Sequence, residues 1–163
     1  MRLSVMRAGV VALVALYMTP MAIGEADGPS AAEIARRCVH EMGETTKRTC
    51  EVISDVRERG IRRIVVLARE GAPPRVLHEV ASETSERVRG VADEGRDRVN
   101  RIAARCLGVL RDIGAPDRAM EVVREARARA VAAIGSCARR SSGHVWRVFR
   151  AITSDRAAPQ LST

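Results

Sequence analysis

The chain has almost no aromatic residues, with one Trp, one Tyr and one Phe among its 163 residues. Val, Ile, Leu, Met and Ala must therefore fill its interior, and these residues suit the seams between packed helices better than a β-sandwich or barrel. Because binding of single-stranded nucleic acids relies on stacking of bases against aromatic rings, the same scarcity argues against that function. We do not expect specific binding of nucleic acid.

Motifs for catalysis and metal binding are also missing. The sequence has no Gly-rich phosphate loop, no Gly-x-Ser-x-Gly and no His-Glu-x-x-His. His40, His78 and His144 fall at different levels of the predicted helices, and the cysteine spacings fit neither a zinc ribbon nor a redox Cys-x-x-Cys pair. We therefore predict that the chain is not an enzyme, that it binds no metal and that it needs no cofactor.

The first 24 residues predict a secretory signal peptide. Two arginines precede an apolar run at residues 8–18, and Ala22 and Gly24 fit the small residues of a cleavage site. A retained membrane anchor is the alternative, but Pro20 and the short run argue against it, because a span needs about 20 apolar residues. Cleavage would give a secreted or periplasmic protein that is not transmembrane.

The charged residues are dominated by arginine. The formal net charge is +8, and it falls to +6 without residues 1–24, which hold two arginines and no acid. Lys47 is the one lysine. Acids and arginines alternate along the predicted helices, with pairs four residues apart such as Glu83/Arg87 and Glu125/Arg129, which is typical of solvated helix faces with weak ion pairs.

Apolar residues recur at steps of three and four along nearly the whole chain after residue 30, which indicates helices. Gly-Ala-Pro at 71–73 and 114–116 stops the pattern twice, and we predict helices at 30–70, 74–113 and 117–153. The start at Ser30 fits a capping box with Glu33.

The two stops resemble each other at an offset of 43 residues, which suggests two equivalent turns. Because short turns join antiparallel neighbours, the sequence predicts an all-α fold, an antiparallel bundle of three long helices. The bundle would be one domain at 25–154, followed by a loose tail at 155–163. Ser141-Ser142-Gly143 is a possible break in the third helix, and a reversal at Gly60 would give a four-helix bundle instead.

The four cysteines of the exported chain test this arrangement, because an even number implies disulfides. In three antiparallel helices with a rise of about 1.5 Å per residue, Cys38 lies level with Cys106, and Cys50 lies level with Cys137. We therefore predict the two interhelical disulfides Cys38–Cys106 and Cys50–Cys137. The four-helix alternative would pair Cys38 with Cys137 and Cys50 with Cys106.

The last predicted helix carries a basic segment that contains both aromatic residues of the exported chain. Its candidate contacts for an anionic surface are Arg139, Arg140, Trp146, Arg147, Phe149 and Arg150. The interpretation that we favour is that Trp146 and Phe149 close the end of the bundle.

These observations predict an exported, non-enzymatic helical protein with a binding or structural role in the cell envelope or extracellular space. Its partner would be an unidentified protein or an anionic surface. The alternative function is a peripheral binder of anionic membranes or polyanions, which would use the basic C-terminal helix.

Overall fold

The computed structural model describes residues 29–157, and this part of the chain forms three long helices that pack against one another. Helix α1 spans Ala31–Arg69, α2 spans Pro74–Asp112 and α3 spans Asp117–Ala157. The prediction of an all-helical bundle with three helices is confirmed. The four-helix alternative is wrong, because α1 continues through Gly60. The predicted signal peptide lies outside the described residues.

The helix ends follow from local chemistry. Ser30 caps α1: its Oγ accepts a hydrogen bond from the Glu33 N–H at 3.3 Å, and its own N–H donates to Glu33 Oε2 at 2.8 Å. This is the capping box that the sequence predicts. The hydrogen bond from the Ser30 backbone holds the pKa of Glu33 below its usual value.

The two turns have the same geometry. Gly71 and Gly114 adopt φ of 83° and 66°, a left-handed conformation that favours glycine. The residue after each glycine donates its N–H to a carbonyl five residues earlier, from Ala72 to Leu67 and from Ala115 to Leu110, both at 2.9 Å. Each helix therefore ends in a Schellman motif, and the two turns are equivalent in structure as well as in sequence.

Helix α3 is longer and more regular than the sequence indicates. It runs without a break through residues 141–143 and continues to Ala157, three residues into the predicted tail. Ser141 lies on the buried face of α3, only 3 % exposed, between Ala138 and Val145. Packing of this face outweighs the weak helix propensity of Ser and Gly, so the possible break at residues 141–143 does not occur.

The largest buried side chains repeat every eleven residues in all three helices. Eleven residues in three turns is about 3.67 residues per turn, so a stripe with this period stays on one side of a nearly straight helix. The residues of the repeat are Met42, Ile53 and Ile64 in α1, Leu77, Val88, Val99 and Leu110 in α2, and Val123, Ile134 and Val145 in α3.

Helices α1 and α2 approach closely at two points, where a threonine of one helix faces a glycine of the other. A Cβ atom on Gly60 would lie 2.9 Å from Thr84 Cβ and still closer to the rest of that side chain. A Cβ atom on Gly95 would meet Thr49 in the same way, 3.0 Å from its Cβ. Each threonine fits only because the opposite residue has no side chain.

The apolar core consists of two clusters. The larger cluster contains Ile53, Val88 and Ala138, and the smaller one, toward the first turn, contains Ile64, Ala81 and Val145. Between them each helix carries small or polar buried residues instead of large apolar ones. These residues are Gly60, Thr84, Ser85 and Ser141.

We predict that Gly60→Ala and Gly95→Ala each destabilise the fold by about 1–3 kcal/mol, because the added methyl group overlaps a buried threonine that cannot move freely. Gly43→Ala and Gly90→Ala are matched controls, since both glycines lie in helices with no atom within 4 Å of the new Cβ. The controls should stabilise by about 0.5–1 kcal/mol through helix propensity. Urea denaturation of the four variants measures these effects, and equal effects at all four positions would contradict the close approach.

Candidate functional site

The structure contains a disulfide between Cys38 of α1 and Cys106 of α2, one of the two predicted bonds. The Cα atoms of the two residues lie 6.3 Å apart, and both residues are buried in the larger cluster. The bond joins the helices at the same interface as the two threonine–glycine contacts. Residues 38, 49 and 60 of α1 contact residues 106, 95 and 84 of α2, respectively. The residue numbers of the contacts therefore rise along α1 while they fall along α2.

The other predicted pair, Cys50 and Cys137, lies close together as two free thiols, so the second disulfide is not formed in this structure. Helix register brings the residues level, but the Cys137 Sγ is directed at the backbone carbonyl oxygen of Cys50, 3.9 Å away. Burial, together with the hydrogen bond between the two thiols, raises the pKa of Cys50 to about 12. A thiol that stays protonated is a poor nucleophile.

The two aromatic residues of the candidate anionic contact are partly buried and pack against the end of the bundle. Trp146 and Phe149 lie edge to face at 5.6 Å between ring centroids, and the His78 ring of α2 contacts them at 5.1 and 5.6 Å. Both aromatic residues cover the smaller apolar cluster near Leu77. Of the six candidate residues, the two aromatic ones therefore pack against the protein, while the four arginines are exposed.

Four arginines of the same segment form an exposed face on α3. At about 100° per residue, Arg139, Arg140, Arg147 and Arg150 share an arc of roughly 100°, and all four are exposed. Arg140 Nη1 donates to Ser136 Oγ at 2.6 Å, and Arg150 Nε donates to the Trp146 carbonyl at 3.4 Å. None of the four has a carboxylate of the described chain within 4.0 Å. We call this set the α3 arginine face.

The sequence itself marks this face by a run of residues without acids. Residues 126–154 contain six arginines and neither Asp nor Glu, although the chain as a whole has 20 acids. Elsewhere acids and arginines alternate, and pairs such as Glu125–Arg129 form ion pairs. The C-terminal half of α3 thus presents positive charge that its own helix does not neutralise, which attracts anions.

No metal-binding group emerges from residues 29–157, since no three side chains of His, Cys, Asp or Glu converge there. His40 and His144 are exposed on different helices, and His78 contacts the aromatic rings. Within the same residues, no helix combines the length and the apolar character that crossing a membrane requires.

Comparison with protein-family models, curated proteins and solved structures finds no match to this chain. Its function must therefore be argued from its own residues.

We predict that Cys38→Ala/Cys106→Ala, made in a Cys50→Ala/Cys137→Ala background, lowers the free energy of unfolding by about 4 kcal/mol. This is the chain-entropy value for a bond that closes a loop of this length, given a separation of 68 residues. Chemical denaturation with and without a reducing agent measures it. Reduction should destabilise only the protein that keeps Cys38 and Cys106, and a reductant-insensitive parent would contradict the bond.

We predict that Cys50 resists alkylation near pH 8 while it is a thiol in the folded protein. A pKa raised from 9.0 to about 12 reduces the thiolate fraction roughly a thousandfold. Iodoacetamide labelling followed by peptide mass spectrometry should give little modified Cys50 in the native protein and complete modification in urea. Rapid native labelling at pH 8 would contradict the assigned environment.

The same shift predicts a pH dependence of stability for the protein with both thiols reduced. The folded state favours the neutral Cys50, so its contribution is complete below pH 9 and is lost as the pH rises from 9 toward 12. A Cys50→Ala variant should lose less stability over this interval, and an identical decline in the two proteins would contradict the prediction.

Proposed function

We propose that the protein is exported and acts as a non-enzymatic binding or structural module in the cell envelope or extracellular space. The observation that carries the proposal is the buried Cys38–Cys106 disulfide, because structural disulfides persist in oxidising compartments and are rare in reducing ones. The leader-like first 24 residues support export independently.

In this proposal successive helices run antiparallel, which is the arrangement favoured by the short turns and by the order of the α1–α2 contacts. After export, exchange with an oxidised disulfide of the compartment, which is itself reduced to two thiols, then joins Cys50 to Cys137 and fastens α3 to α1. The Cys137 sulfur already lies 3.9 Å from the Cys50 carbonyl oxygen, so a change of side-chain rotamer or a small shift of the helices would bring the two sulfurs to disulfide geometry.

Peptide mapping of the exported protein under non-reducing conditions tests both parts. We expect a mature N-terminus near Glu25, with Cys38 linked to Cys106 and Cys50 linked to Cys137. Retention of the protein in the reducing compartment with its leader intact would overturn export. Recovery of free Cys50 and Cys137 from exported material would overturn only the second bond.

A second candidate function is peripheral attachment to an anionic membrane through the α3 arginine face. The supporting observation is that four exposed arginines share one arc of a helix segment that has no acid. Because Trp146 and Phe149 pack against His78, this attachment would be electrostatic and would not insert rings into the bilayer. It would therefore weaken steeply with salt.

We predict that replacing Arg139, Arg140, Arg147 and Arg150 with Ala weakens binding to phosphatidylserine vesicles at low salt by about a hundredfold or more, given about 1 kcal/mol per basic residue near such a surface. The matched control replaces four exposed arginines elsewhere: Arg37, Arg89, Arg101 and Arg124. Vesicle co-sedimentation measures both variants. Equal weakening of both variants would show that net charge, and not the α3 arginine face, determines binding, and would contradict this candidate function. A blue shift of Trp146 fluorescence on binding would contradict a purely electrostatic attachment, because it would show that the ring enters the bilayer.

A further inference from the structure

A groove between α1 and α2 brings three arginines together around one carboxylate. Arg59 and Arg63 of α1 and Arg87 of α2 line it, with Glu83 among them and Gly60 and Thr84 at the close approach of the helices. Its volume is about 170 Å³, which is below the range of about 300–1,000 Å³ for pockets that bind drug-sized molecules. The groove is therefore of a size for a single small group.

The groove lies where the core is interrupted. Gly60 and Thr84 separate the two apolar clusters, and the missing side chain at Gly60 lets the helices approach closely. Long side chains that flank this point are thereby brought together from both helices, and Arg63 of α1 reaches a carboxylate of α2.

The charges in the groove are unbalanced. Glu83 is the shared acceptor: Arg63 Nη1 lies 3.1 Å from its Oε2, and Arg87 Nη2 lies 3.0 Å from its Oε1. Arg59 uses its Nε for the Asp55 backbone carbonyl at 3.3 Å. Two guanidinium groups thus contact one carboxylate and that of Arg59 lines the same groove, and each keeps further N–H donors for a ligand. A shallower groove beside it shares Arg59 and adds Arg62 and Asp55, one charge of each sign.

The close approach of Thr49 and Gly95 differs from that of Gly60 and Thr84 in the charged residues around it. Thr49 faces Gly95 there. At the positions equivalent to the groove residues, one before or three after the contact residues, stand Arg48, Glu94 and Arg98, and the neighbouring Arg96 is paired with Asp93. These positions hold two arginines for one acid, and Arg98 is 3.9 Å from Glu94 of its own helix. The fold therefore supplies an internal control that has the same backbone arrangement and one arginine fewer.

We propose that the groove of Arg59, Arg63 and Arg87 binds a phosphate group, with Glu83 as the internal competitor that occupies the guanidinium groups until the anion arrives. Guanidinium groups present N–H donors in a fork that matches the oxygens of phosphate. The site is distinct from the α3 arginine face, and it does not depend on export or on membrane attachment.

Calorimetric titration with inorganic phosphate at low ionic strength tests the proposal. We expect saturable binding that weakens at least tenfold in Arg63→Ala/Arg87→Ala. Binding should change less than twofold in Arg48→Ala/Arg98→Ala, which loses the same charge at the other contact. It should also persist when the α3 arginine face is replaced with Ala. Absence of saturable binding to the unaltered protein, or equal weakening in the two double variants, would overturn the proposal.

A second pair of variants keeps the test decisive if an arginine variant fails to fold. Glu83→Gln and Glu94→Gln each remove one negative charge, but only Glu83 competes with the ligand. We expect Glu83→Gln to bind phosphate about fivefold more tightly, the effect of removing one charge at contact distance in water, and Glu94→Gln to differ little from the parent. Weaker binding by Glu83→Gln, or equal gains in both variants, would count against the competitor role.

The source of the phosphate group is decided by comparing inorganic phosphate with short-chain phosphatidic acid as a soluble monomer. Both ligands should lose affinity in Arg63→Ala/Arg87→Ala if the phosphate group is what binds. Tighter binding of the lipid identifies a headgroup as the ligand, and equal affinities identify free phosphate. A lipid that binds equally well to the double variant and the parent would overturn the site.

Discussion

The close contact between α1 and α2 is the constraint on which the rest of the structure depends. It has three levels, eleven residues apart on both helices: the Cys38–Cys106 disulfide, Thr49 against Gly95, and Gly60 against Thr84. The contact at each level demands a particular pair of residues, because a glycine must face each threonine and a cysteine must face a cysteine. A shift of register by one repeat would set threonine against threonine, so this interface defines the alignment of the two helices far more sharply than interchangeable Val and Leu residues would.

The same constraint accounts for the features that bear on function. Because the level of Gly60 and Thr84 carries no large apolar side chain, the core divides there and arginines of both helices meet at Glu83. Beyond this level the smaller cluster would be open at its end, and Trp146 and Phe149 cover it with His78. Because the rings pack against the bundle, the proposed membrane contact would use only the arginines of α3. The binding that we propose would thus depend on arginines that the helices hold in place.

Much of the fold could be predicted from the sequence, because its determinants are local. Ser30, Glu33 and the two Gly-Ala-Pro turns specify helix ends to within a residue or two, and equal depth along straight rods suffices to pair Cys38 with Cys106. The eleven-residue repeat of Leu77, Val88, Val99 and Leu110 is also present in the sequence. Steps of three and four do not distinguish it, because smaller apolar residues stand between its members. The sequence favoured rings that close the end of the bundle but did not decide between this and an external contact, because the direction of Trp146 depends on the rotation of α3 about its own axis and its partner His78 is distant in sequence. The spacing of the Cys50 and Cys137 sulfurs depends on shifts of an ångström or two, which helix periodicity does not resolve.

The most direct test of the central claim is to observe the two threonine–glycine contacts in solution. In a nuclear Overhauser spectrum of the protein labelled at threonine methyl groups, the account predicts cross-peaks from the Thr84 methyl to the Gly60 α-protons and from the Thr49 methyl to the Gly95 α-protons. A cross-peak between the Thr49 and Thr84 methyl groups, with both glycine cross-peaks absent, would reveal a different register and contradict the account.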